Sequence, residues 1–187
     1  MYKLDLICSK DELRLNINYV LVTKEKCVAT DANVLGVVPT PLMFDEDFID
    51  AIPENGVMIH REDWKKMSTA EFVSWDKDAI GKTIVLIHKK KRDEYIKVED
   101  WTPTKEHPNP LKWPDWERVI PDEKMEAETS VIGVNTQLLA TLSKALGFEA
   151  SKLRFNGQSK AITVTEALGY NEVDKGIYGI CMPVRLH

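Results

Sequence analysis

No apolar run in this sequence approaches the roughly 20 residues that a membrane span needs, and nothing at its start reads as a signal peptide. Met1-Tyr2-Lys3-Leu4-Asp5 runs at once towards the charged Lys10-Asp11-Glu12. A cytoplasmic protein with no membrane partner is expected. Cysteine is scarce: Cys8, Cys27 and Cys181 are an odd number, far apart, each in an apolar run. They read as small buried hydrophobes in a reducing compartment, not as a disulfide framework. His60, His88, His107 and His187 are scattered, and no Cys or His pair has ligand spacing, so no metal or other cofactor is expected. A Gly-rich phosphate loop, a Gly-x-Ser-x-Gly and a metal-binding His-Glu pair are all missing, which argues against an enzyme. Positive charge is in deficit, with 25 Lys and Arg against 30 Asp and Glu and a net charge of −5. That balance argues against electrostatic coating of nucleic acid, although an acidic protein can still be basic on one face.

What is present is an ordinary globular composition, 43% hydrophobic and 29% charged over 187 residues, enough for one core or for two small modules sharing one. Tyr2–Cys8 is a short apolar stretch that reads as a strand. Leu13, Leu15, Ile17 and Tyr19 alternate with polar residues, the period of a half-buried strand running on through Val22. Further strands are expected at Cys27–Thr30, Val34–Val38 and Val57–Ile59, with a surface loop over the acidic, Pro53-containing stretch Asp45–Asn55. Arg61–Met67 reads as a short helix. Lys82–His88 and Glu94–Trp101 read as strands around the basic turn Lys89–Asp93, and the Pro-rich stretch from Pro103 to Pro114 reads as a connector. Thr129–Val134 is expected as a strand. Asn135 is expected to cap a helix carrying Leu138, Leu139, Leu142 and Leu146 and stopped by Gly147. A hairpin around Asn156-Gly157 and a closing strand at Ile177–Met182 complete the pattern. The units Val57–Trp101 and Thr129–Met182 share the order strand, helix, strands. This weak internal repeat predicts an α+β fold with mostly antiparallel sheets and its few helices on one face.

Three segments resemble the bacterial DNA polymerase III beta subunit, the sliding-clamp family. Asp11-Glu12-Leu13-Arg14 followed by Val28-Ala29-Thr30-Asp31-Ala32-Asn33-Val34-Leu35 is similar to the family's Asp-x-x-Arg and Val-Ala-Thr-Asp-Gly-His-Arg-Leu. Trp113-Pro114-Asp115-Trp116-Glu117-Arg118-Val119-Ile120-Pro121 resembles Phe-Pro-Asp-Tyr-x-Arg-Val-x-Pro. Met182-Pro183-Val184-Arg185-Leu186 resembles the ending Met-Pro-Met-Arg-Leu. The resemblance implies a DNA-clamp-like fold of repeated strand-helix-strand half-modules. It divides the chain into 1–121, similar to a clamp middle domain whose first helix is lost or shortened, so that Tyr2–Cys8 is either a strand or the remnant of that helix, and 122–187, similar to a C-terminal half-module.

In that family the three segments build an outer pocket for short peptides of replication and repair proteins. Carried over, the resemblance implies a pocket lined by Thr30, Leu35, Pro114, Arg118 and Val119, and by Ile180, Met182, Pro183, Val184 and Arg185, with one wall altered at Ala32-Asn33-Val34. Asp31 and Asp115 read as turn or cap residues. The family's helices face DNA, and Arg61, Lys65, Lys66 and Lys144 are the candidates for that face here. Acidic Glu62 and Asp63 offset them, and so few cations grip phosphates weakly. The five tryptophans read as core or pocket residues rather than a base-stacking platform. The expectation is a non-catalytic clamp-like protein that binds partner peptides. The rivals are a self-assembling homo-oligomeric ring encircling double-stranded DNA as a processivity factor, and an enzyme of unrelated chemistry on the same fold.

Overall fold

The computed structural model of the chain describes residues 1–77, 83–88, 94–97, 113–121, 132–157, 160–167 and 176–184. Its strands are β1 (Tyr19–Val22), β2 (Lys26–Thr30), β3 (Val34–Pro39), β4 (Val57–His60), β5 (Phe72–Lys77), β6 (Thr83–His88), β7 (Glu94–Lys97), β8 (Ser151–Arg154), β9 (Ile162–Glu166) and β10 (Tyr178–Cys181). The helices are α1 (Glu46–Asp50), α2 (Arg61–Met67) and α3 (Thr136–Leu146), joined by 3-10 turns at Leu4–Ile7, Leu15–Ile17, Thr40–Leu42 and Trp116–Val119. A seven-stranded antiparallel sheet runs in the order β4-β1-β2-β3-β10-β9-β8, and β5-β6-β7 form a second antiparallel sheet. Strands from the two ends of the chain meet where β3 pairs with β10.

Side chains alternate across these strands. Ala29, Val34, Val38 and Cys181 face a main core with Trp64, Leu142 and Leu146, whereas Val28, Leu35, Val37 and Ile180 face a second cluster on the other side. The helices collect on the first face, giving the expected α+β layering. Asn135 caps α3, its side chain accepting from the Gln137 and Leu138 amides, and Gly147 ends it in the left-handed conformation at φ 72°. The close approach of α3 depends on two glycines that are direct cross-strand partners, Gly36 and Gly179. A Cβ on Gly36 would stand 2.6 Å from Ile7 Cδ1, and one on Gly179 would stand 2.7 Å from Leu142 Cδ2.

Three local expectations are corrected, and one strand is added. Tyr2–Cys8 is not a strand: it forms the 3-10 turn Leu4–Ile7, packed between α2 and α3. The Lys3 amide donates to Ala145 O at 2.9 Å and Trp64 Nε1 donates to Tyr2 O at 3.0 Å. The alternating stretch from Leu13 becomes a strand only at Tyr19, because Asp11 captures the chain locally. Its carboxylate accepts from the Leu13 amide at 2.9 Å, and its carbonyl accepts from the Arg14 amide at 3.0 Å. The acidic stretch after Asp45 is not a loop throughout. Asp45 caps α1 by accepting from the Phe48 amide, and Phe48 and Ile52 are buried. The strand β5, for which no expectation was formed, follows α2, and Trp75 on it donates to Phe48 O at 2.7 Å.

Most of the rest lies close to expectation, the strand expected at Thr129–Val134 excepted. The helix Arg61–Met67 buries Trp64 and Met67 as its spacing predicts. The β8–β9 hairpin forms with a wider connection than a two-residue turn, in which buried Asn156 donates to Ala161 O at 2.8 Å. In place of a strand ending at Val134, an isolated bridge pairs Gly133 with Val184 among the described residues. Lys89–Asp93, residues 98–112 with Trp101, residues 129–131 and Arg185 lie outside the described residues. The internal repeat becomes a recurring motif: α2 precedes the meander β5-β6-β7 and α3 precedes β8-β9-β10. The turn Leu4–Ile7 stands in the same place before β1-β2-β3.

Candidate partner-binding pocket

The pocket begins at the β2–β3 turn. Asp31 closes it, its carboxylate accepting from the Asn33 amide at 2.8 Å and the Val34 amide at 2.9 Å. Thr30 Oγ1 donates to Val34 O at 2.6 Å and accepts from the Ala32 amide at 3.0 Å. This turn holds Ala32 at φ 77°, a left-handed conformation at the position where the sequence resemblance has glycine. The Met182 amide donates to Asn33 O at 2.9 Å and so fixes the exit of β10 against the same turn. A second wall is the segment Trp113–Val119. Trp113 is buried in the second core cluster with Val28, Leu35, Met58 and Ile180. Trp116 is held beside it, with Lys26 Nζ 5.3 Å from its ring centroid.

Between these walls lies an open cavity of about 320 Å³ on the face of the sheet opposite the helices. Six of the expected pocket residues line it together: Thr30, Leu35, Pro114, Val119, Ile180 and Met182. Leu35 and Ile180 form a buried floor, while Val119 and Met182 are 44% and 40% exposed at the rim. Arg118 stands outside this cavity, ion-paired with Asp115 at 2.7 Å, so Asp115 serves as a charge partner here and not as a side-chain cap. Pro183 is half-buried and Val184 is exposed at the bridge to Gly133, neither lining the cavity. The altered wall Ala32-Asn33-Val34 does line it. The third wall, Arg14, Asn16 and Ile17, was not anticipated, because that stretch read as a regular strand. The Asp11-x-x-Arg14 pattern was the available signal: Arg14 Nε pairs with Asp11 at 3.5 Å. Leu13 and Leu15 stand on the same turn, 93% and 50% exposed.

The DNA-face candidates sit apart from the pocket, on the helices. Arg61 pairs with Glu62 at 3.1 Å and Lys66 with Asp63 at 2.6 Å, whereas Lys65 and Lys144 are exposed. The cysteines are free and buried. Burial pushes the Cys27 thiol up to about 12, and burial with the nearby Asp5 raises Cys8 well above the usual thiol range. These are packing thiols with little thiolate near neutral pH. Among the described residues no helix is long and apolar enough to cross a membrane.

The assembly of helix-backed antiparallel sheets is that of a sliding clamp. The beta subunit of the Streptococcus pyogenes DNA polymerase superposes with a TM-score of 0.64 at 13% identity, over 98% of this chain and 63% of that one. The H. pylori beta clamp, solved with diflunisal, gives 0.60 at 15% identity over 98% of this chain and 62% of that one. DNA polymerase III beta subunit from Thermotoga maritima gives 0.55 at 15% identity over 99% and 63%. The chain therefore has the sliding-clamp fold and spans just over three fifths of the length of these clamps. No protein-family model and no curated protein matches the sequence.

Proposed function

We propose that this protein is a non-catalytic, sliding-clamp-like binding module that recruits replication or repair proteins by taking a short apolar peptide segment into the Thr30–Met182 pocket. The observation that carries the reading is convergence. Residues from four separated stretches, around positions 16, 30, 116 and 180, meet at one apolar cavity open to solvent and facing away from the helices. An aromatic side chain seated there hides roughly 150–250 Å². At about 25 cal/mol per Å² that is a gross 4–6 kcal/mol, from which the cost of ordering the peptide is subtracted. An affinity between about 1 mM and some tens of micromolar is the expected class for one such anchor, and Met182 suits a pocket that must repack around different occupants.

Isothermal calorimetry with a short peptide bearing adjacent leucine and phenylalanine tests this. Saturable one-to-one binding is expected, weakened about tenfold or more by Met182→Ala. No binding at millimolar peptide, or equal binding by the variant, sinks the reading.

A second reading, a homo-oligomeric ring around double-stranded DNA, draws on two features. The helices share one face of the seven-stranded sheet, and among the described residues that sheet ends on β4 and β8, each paired there on one side only. Edge strands of this kind are where subunits join. The pairing of Arg61 and Lys66 with acidic neighbours weighs against a strong grip on phosphates. Light scattering over a wide concentration range separates the two readings, since a ring requires a discrete closed oligomer and a monomer excludes it.

A further inference from the structure

The apolar pocket does not stand alone. A cavity of about 210 Å³ shares Val119 with it and passes Ile120 and Pro121 to reach Asn156 and Lys160. A larger cavity of about 560 Å³ then shares Ile120, Pro121 and Asn156 with that link. One track therefore leaves the pocket around the turn Trp116–Val119 and crosses the outer face of β8, β9 and β10.

Its chemistry changes along the way. The pocket end is apolar, whereas the far end gathers donors from three adjacent strands. Lys152 and Arg154 stand two residues apart on β8 and so on one face. Their direct cross-strand partners are Thr165 and Thr163, which line the same cavity. Tyr178 on β10 closes the row with a phenol, a hydrogen-bond donor at neutral pH even at its ordinary pKa, which burial and then Glu117 push up to about 12. Among its described lining residues the far cavity has two cations and no carboxylate. Such a set of donors suits an anion.

We propose that this far cavity is a carboxylate subsite, so that a bound partner segment places its apolar anchor in the pocket and a run of acidic side chains over Lys152 and Arg154. The inference rests on the pocket reading and specifies the partner's chemistry. Continuity with the apolar pocket favours a peptide over nucleic acid. Two cations neutralise few phosphates, but an acidic flank tethered to a seated anchor meets them at high effective concentration. The cations also stand on the face opposite Lys65 and Lys144 and do not extend a helix-side basic surface.

The test uses the full chain and fluorescence anisotropy with labelled peptides. These are the leucine-phenylalanine anchor alone, the anchor with three glutamates on its N-terminal or its C-terminal side, and the same pair with serines. One glutamate peptide is expected to bind about tenfold tighter than its serine counterpart at low salt, losing the gain in high salt. Lys152→Ala with Arg154→Ala, both exposed on β8, is expected to abolish the gain and leave anchor-only binding unchanged. A gain below twofold in both registers, or a gain that survives the double substitution, overturns the proposal. If the anchor fails to bind at all, the pocket reading fails, and hexaglutamate alone decides the subsite. Shifts of the Thr163 and Thr165 amide resonances that vanish in the double variant support it, and their absence overturns it. An oligothymidylate of equal charge binding there more tightly than the glutamate peptide also overturns it.

Discussion

Gly179→Ala forces one methyl group into the seam between α3 and the sheet. The added Cβ would lie 2.7, 2.9 and 3.0 Å from Leu142 Cδ2, Cγ and Cδ1. Leu142 is fully buried, and the Cγ contact is not the free end of a flexible chain, so rotation of one methyl does not relieve it. Overpacking of this kind costs about 1–3 kcal/mol. Gly179 pairs with Gly36, where an added Cβ meets Ile7 and Leu146, so the sheet cannot yield towards its neighbour. Leu142→Ala alone should cost about 2–5 kcal/mol as a cavity. Combined, the two changes partly compensate, because the alanine at 179 moves into space vacated by the leucine. A coupling of about 1–2 kcal/mol follows for side chains in direct contact. Urea unfolding of wild type, both single variants and the double variant measures the cycle. Strict additivity, or a loss below about 0.5 kcal/mol for Gly179→Ala, the size of an ordinary surface change, would refute the packing of α3 on this seam.

Two further outcomes follow from local geometry. Ala32 holds a left-handed conformation at φ 77°, so Ala32→Gly should stabilise the chain by about 1 kcal/mol, the strain relieved exceeding the entropy glycine adds to the unfolded state. Unfolding midpoints in urea check this, and a destabilised variant contradicts it. The Tyr178 phenol ionises at about 10 when unfolded and at about 12 when folded, so the unfolded state loses its proton first. Its contribution is fully present below pH 10 and is lost as the pH rises towards 12. Tyr178→Phe should flatten stability against pH in that window, as followed by denaturant melts at successive pH values.

Elements whose local signals agreed with their burial were legible in the sequence. Asn135 and Gly147 bracket α3 with cap chemistry that the structure uses, and Trp64 and Met67 set the buried side of α2. Where local hydrogen bonding overrode periodicity, the pattern misled. Leu13 and Leu15 alternate with polar residues as a strand would, yet Asp11 binds the following amides and leaves both leucines exposed beside the pocket. Composition hid α1, because its acidic residues read as loop while Asp45, Phe48 and Ile52 carried the cap and the buried stripe. For the pocket, short motifs pointed to Thr30, Leu35, Pro114, Val119, Ile180 and Met182, which the fold brings together from distant positions. The polar track past Pro121 had no sequence signature. It exists only because β8 and β9 pair in a register that sets Lys152 opposite Thr165 and Arg154 opposite Thr163.

The most direct test of the account is methyl and amide NMR on the full chain titrated with the leucine-phenylalanine peptide. Peptide docking predicts shifts confined to one face: the methyls of Leu35, Val119, Ile180 and Met182 and the amides of the Thr30–Leu35 turn, with α2 and α3 unmoved. Shifts centred on Lys65 and Lys144, or spread over both faces of the sheet, would contradict a peptide pocket on the outer side of this clamp fold.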